Sequence, residues 1–142
     1  MTKLFFTISL CFIAALSYGQ AKLFTGRDSI NAFCDKVMQT FEKAKYSDAI
    51  QLFRQRSVMD TLTINNIDKT MNEQMEALQP YYKRVVGFEF LEEKPVKNTV
   101  VRRRYLLKFE NYFLTVDFFL YNNGTGWTVS NFNYRDDPKE LF

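Results

Sequence analysis

Arg103 and Tyr105 are two residues apart in a run that reads as extended strand, so their side chains share one face. On an apolar, desolvated face a Tyr105 phenol can polarise a carbonyl, and an Arg103 guanidinium can hold a carboxylate or a developing oxyanion. Tyr134 is a third polar candidate for the same face. What such a site lacks is a base. The chain has no His, and the strand register worked out below turns Asp117 to the opposite face. No nucleophile–base pair and no cofactor fingerprint stands in the sequence. The acidic pairs Glu92-Glu93 and Asp136-Asp137 lack the His, the paired Cys or the calcium-loop spacing that would make them metal ligands, and they read as solvated turn charges. The expectation is therefore no catalytic residue, no cofactor and no metal. Arg103 is the one charge on an otherwise apolar face, and an unpaired buried charge costs several kcal/mol. Its partner is either a carboxylate from the helices, water reached by snorkelling to a rim, or the acidic group of a ligand held between Phe88, Tyr105, Phe118 and Trp127. Strand alternation also splits Arg102-Arg103-Arg104 between two faces, so the triplet is no basic patch for nucleic acid.

The elements that must position these residues fall into a helical half and a strand half. Ile30, Phe33, Val37, Phe41 and Ala44, widened by Cys34 and Met38, predict a helix from Asp28 or Ser29. Ser47-Asp48 opens a shorter one carrying Ala49, Ile50 and Phe53 and ending near Ser57. A third starts near Thr63, carries Ile64, Ile67, Met71, Met75 and Leu78, and stops at Pro80. Beyond Pro80 the apolar period becomes 2. Val86, Phe88 and Phe90 predict a first strand running into a turn at Glu92-Glu93-Lys94-Pro95. Thr99 to Phe109 and Tyr112 to Tyr121 form a hairpin. With Phe109 opposite Tyr112, Val101, Arg103, Tyr105 and Leu107 face Leu120, Phe118, Val116 and Leu114, and Arg104 lies across from Asp117 on the other side. A turn at Asn122 to Gly126 then places Trp127 opposite Leu120 and Val129 opposite Phe118. A bulge near Ser130-Asn131 keeps Phe132 and Tyr134 on the apolar face.

The same register puts Leu106, Phe113, Phe119 and Tyr121 on the outer face, a patch large enough to suggest an interface. At the start of the chain, Lys3, the apolar run Leu4 to Leu16 and Ser17-Tyr18-Gly19 predict a secretory signal peptide over residues 1–19. The run of about 13 residues is shorter than the roughly 20 a spanning helix needs. Cys11 follows a bulky Leu10, against a lipoprotein reading. Residues 20–142 then form one domain with Cys34 as its thiol, exported to a bacterial periplasm or beyond, with no transmembrane segment in the mature protein. The net charge of +3 falls by one with Lys3 and favours no particular anionic partner.

Helices followed by a meander, the Gly126-Trp127-Thr128-Val129 step, the bulge and the Phe132-Asn133-Tyr134 ending resemble the small secreted members of the nuclear transport factor 2-like, cystatin-like superfamily. The resemblance implies an α+β cone, a curved antiparallel sheet of about four strands around a long N-terminal helix, with an internal cavity and frequent dimerisation through the outer sheet face. The expected function is binding of a small apolar or amphipathic ligand in the cavity by Arg103, Tyr105, Phe88, Phe118, Trp127 and Tyr134. The alternative is a protein-interaction or homodimer module acting through Leu106, Phe113, Phe119 and Tyr121. An isomerase- or dehydratase-like activity is the third reading.

Overall fold

The stripe Ile30, Phe33, Cys34, Val37, Met38 and Phe41 forms α1 (Arg27–Glu42), and all six side chains are buried. Ala44 falls beyond it, at φ +55° in the turn to α2 (Tyr46–Gln51). That helix tightens into a 3-10 turn over Leu52–Gln55, which buries Phe53. α3 (Thr61–Tyr82) begins two residues before Thr63, because Asp60 caps it by accepting from the Thr63 amide at 2.8 Å. Pro80 sits inside its last turn rather than beyond it. A proline's fixed φ suits a helix, and the following turn still closes, with the Lys83 amide donating to the Gln79 carbonyl at 3.0 Å.

These elements belong to a computed structural model that describes residues 23–142, in which three helices pack against a four-stranded antiparallel sheet, an α+β fold. The signal peptide expected over residues 1–19 lies outside the described residues. Among the described residues no helix is long and apolar enough to cross a membrane.

The sheet is a simple meander of β1 (Val85–Val96), β2 (Val100–Phe109), β3 (Phe113–Asn122) and β4 (Trp127–Arg135). β2 and β3 pair as apolar segregation requires, with Arg103 opposite Phe118, Arg104 opposite Asp117 and Tyr105 opposite Val116. β1 departs from expectation. It runs straight through Glu92-Glu93-Lys94-Pro95 and turns at residues 97–99 instead. Two irregularities lie within it, one between Val85 and Gly87 and one between Phe90 and Glu92. The first leaves Val86 exposed, and the second reverses the strand's parity. Phe90 pairs with Tyr105 before the second bulge, and Glu93 pairs with Arg103 after it, so a carboxylate joins the inward face.

In β4, Trp127 pairs with Asn122 and Val129 with Leu120, two places from the expected partners. All four residues 123–126 are spent on the loop, closed by Asn123 Oδ1 accepting from the Thr125 and Gly126 amides. A shift of two keeps both side chains inward. The expected bulge is present, since Asn131 pairs with Phe119 and Val129 with the neighbouring Leu120. Phe24 and Trp127 exchange two 2.8 Å backbone hydrogen bonds beside Gly126. A Cβ at Gly126 would lie 2.9 Å from the Phe24 carbonyl oxygen, so this close approach requires glycine.

On the outer face, Arg104 donates Nε and Nη2 to the two Asp117 carboxylate oxygens at 2.7 and 2.8 Å. The residues are 4% and 5% exposed. A 3-10 turn at Pro138–Leu141 lies against them: Arg104 Nη1 donates to the Glu140 carbonyl at 2.8 Å, and the Glu140 carboxylate meets Arg135 at 2.7 Å. Leu106, Phe113 and Phe119 are half-buried here, and Tyr121 is exposed. Breaking a buried ion pair strands a desolvated charge. Asp117→Asn is expected to lower stability in urea by about 3–5 kcal/mol, while the Arg104→Met/Asp117→Leu double variant recovers most of that loss. Equal losses in single and double variants would show that the pair's charge compensation is not what matters there.

Candidate functional site

The inward polar site is built where α1, β1 and β2 meet. α1 carries Arg27 and Asp35, the post-bulge part of β1 carries Glu93, and β2 carries Arg103 and Tyr105. Arg103 is 8% exposed, and each of its three nitrogens has a partner. Nε donates to the Tyr105 hydroxyl at 2.5 Å, Nη1 to Glu93 Oε1 at 2.5 Å and Nη2 to Asp35 Oδ1 at 3.3 Å. The Tyr105 hydroxyl in turn donates to Asp35. Arg27 Nη2 reaches the other Glu93 oxygen at 2.7 Å. The Arg103 guanidinium lies 4.2 Å from the Phe90 ring centre, which adds a cation–π contact on its flat side. Two arginines and two carboxylates thus balance one another.

Of the partners open to Arg103 in the sequence, the structure supplies a helix carboxylate, Asp35. Glu93 was not legible, because its reading as a turn residue hid the bulge that aims it inward. Burial, and then the hydrogen bond to Asp35, push the Tyr105 phenol well above its ordinary pKa. Burial likewise pushes the Cys34 thiol up, which suits a core side chain rather than a nucleophile. A carbonyl that sought the Tyr105 proton would have to displace Asp35. The geometry therefore commits these groups to one another.

The aromatic candidates pack rather than line open space. Phe118 and Tyr105 are fully buried with ring centres 5.6 Å apart, and Phe118 also meets Phe132 at 5.4 Å and Phe53 at 6.1 Å. Phe88 is half-buried 6.2 Å from the Tyr105 ring. Trp127 is buried with the Arg27 guanidinium 4.9 Å from its ring centre. The structure brings Arg103 and Tyr105 together with Phe88 and Phe118 and joins Trp127 to them through Arg27 and Glu93, while Tyr134 lies apart against α3.

Tyr134 alone of the six expected ligand residues borders the clefts described here. Its hydroxyl donates to Gln74 Oε1 at 2.5 Å, tying β4 to α3. Beside this tie lies a cleft of about 340 Å³ lined by Met75, Leu78, Leu114 and Tyr134, with Arg135 and Asp136 at its edge. A second cleft, of about 390 Å³, opens on the other side of Tyr134 against Ile67 and Phe132. Met71 and Met75 are buried from α3, and Met75 lines the first of these clefts. Among the described residues no group of three or more His, Cys, Asp or Glu is placed to hold a metal. Compared with protein-family models, curated proteins and solved structures, the chain matches none.

Removing the Tyr105 hydroxyl alone leaves Arg103 and Asp35 each short of a partner. Tyr105→Phe is expected to cost about 1–3 kcal/mol, and Tyr105→Ala about 3–5 kcal/mol because a core cavity is added. The folded-state pKa of Tyr105 is raised, so its contribution is complete below the unfolded value of about 10 and fades as pH rises beyond it. The urea midpoint should fall above about pH 10, and fall less steeply in Tyr105→Phe. Parallel pH profiles for the two proteins would contradict the assignment.

Proposed function

We propose that this chain is an exported, non-catalytic domain of nuclear transport factor 2-like type that binds a small apolar or amphipathic ligand in the cleft between α3 and β4. The observation that carries the proposal is the helix flank itself. Met75, Leu78 and Leu114 form an apolar wall, and Tyr134, Gln74 and Arg135 supply a few convergent polar groups at its edge. Small-molecule sites have that balance, in volumes from about 300 Å³ upward. Met75 can adapt the shape of that wall because a thioether side chain has three soft torsions. The Arg103–Tyr105 group is the weaker locus, since Asp35 and Glu93 already meet its donors. The signal-like N-terminus supports export. The helix-then-meander order and the β4 bulge support the family likeness.

The probe for this reading is N-phenyl-1-naphthylamine, a neutral amphipathic fluorophore. Ala77 lines the cleft and is exposed, so Ala77→Trp fills the site from outside the core. Affinity for the dye should fall at least about tenfold, with an unchanged urea midpoint. Unaltered dye binding would remove the cleft as the site.

A second reading, self-association through the outer sheet face, rests on a cross-strand apolar row. Val96 pairs with Val100 and Val100 with Tyr121, and both ends of the row are exposed, at 66% and 41%. Phe119 adjoins this row. Phe119→Asp should convert a sedimenting dimer to monomer. A wild-type protein that sediments as a monomer at all concentrations would end this reading.

A further inference from the structure

A cleft of about 490 Å³ lies away from both the Arg103 group and the α3–β4 cleft, between α1 and the 3-10 turn after α2. Phe24, Phe33 and Leu52 make its apolar lining, Lys36 and Arg56 are its two cations, and no carboxylate lines it. Arg56 is partly buried, with its guanidinium 4.1 Å from the Phe24 ring centre. A cation–π contact of this kind uses none of the guanidinium N–H groups, which stay able to donate. Arg27, Arg84, Arg102, Arg103, Arg104 and Arg135 each hold a carboxylate of this chain. Among the described residues, neither Arg56 nor Lys36 has a carboxylate within the 4.0 Å of an ion pair, and the Arg56 side chain donates no hydrogen bond.

We propose that this cleft binds a carboxylate-bearing amphipathic molecule, such as a medium-chain acid, with the carboxylate on Arg56 and Lys36 and the chain over Phe24, Phe33 and Leu52. A planar carboxylate matches the free guanidinium edge with two parallel hydrogen bonds. Lys36 adds a second positive charge from α1 on the same rim. The apolar lining rewards a hydrocarbon chain, which a bare inorganic anion lacks. The site is separate from the α3–β4 cleft, and the proposal does not rest on the reading of that cleft.

Calorimetric titration of the purified protein at neutral pH with decanoate, decanol and inorganic phosphate, each below any aggregation threshold, tests this directly. Decanoate should bind at least about tenfold more tightly than decanol. Arg56→Gln and Lys36→Gln should each weaken decanoate by roughly tenfold and leave decanol unchanged, both being charge-specific changes at a rim. Ala32→Trp, which fills the cleft from an exposed lining position, should abolish the decanoate signal, whereas Ala77→Trp should not affect it. Equal affinity for decanoate and decanol, or full decanoate binding in both charge variants, would overturn the proposal. Phosphate binding as tightly as decanoate would also overturn it, by showing a simple anion site.

Discussion

A buried guanidinium on an apolar sheet face must be neutralised before anything else about that face can be settled. Arg103 sets this requirement, and the fold meets it from two directions. α1 supplies Asp35 at the right turn of the helix, and the irregularity between Phe90 and Glu92 turns Glu93 inward to lie opposite Arg103. Without that extra residue in β1, Glu93 would fall on the outer face with Glu89 and Glu92 would stand opposite Arg103, so the bulge selects which of two adjacent carboxylates faces inward. Arg27 binds the outer Glu93 oxygen and lies over Trp127, so the same network ties the start of α1 to the start of β4.

Once Arg103 and Tyr105 are committed to protein partners, the space between helices and sheet goes to aromatic rings. Phe41, Phe53, Phe118 and Phe132 meet at ring-centre distances of 5.3 to 6.1 Å, a close-packed layer in the range where aromatic pairs attract. Open volume lies at the flanks, where α3 meets β4 and where α1 meets the 3-10 turn. The space open to a ligand therefore lies at the periphery, while the interior is filled by packed rings.

The strand half was legible where two signals agreed. Apolar segregation and the Arg104–Asp117 match both specified the β2–β3 register, and the structure has it residue for residue. The Ser130 bulge followed from the change in apolar parity before Phe132. Legibility failed where one polar run admitted two meanings. Glu92-Glu93-Lys94-Pro95 has turn composition, yet its alternating sides face Arg104 and Arg103, and cross-strand charge pairing outweighed local propensity. Apolar periodicity sets the start of α3 too late, past Asp60, and its end too early, at Pro80, because capping geometry and a proline's tolerance within a last turn are decided by a few hydrogen bonds. The flank clefts had no sequence signature, since they depend on how elements distant in sequence meet, α3 with β4 and α1 with the 3-10 turn. Arg56 was indistinguishable from any surface arginine until Phe24 was seen beneath it.

The Arg103–Tyr105 group is closed by the protein's own carboxylates, and the site we propose for a neutral apolar ligand is the α3 flank. Methyl resonances report on both places at once. Methyl shift mapping during titration with N-phenyl-1-naphthylamine should move Met75, Leu78 and Leu114, and leave Val101, Val116 and Leu107 around the inward polar group where they were. Shifts centred on Val116 and Leu107, with Met75 and Leu78 unmoved, would contradict the account and return the binding site to the interior face.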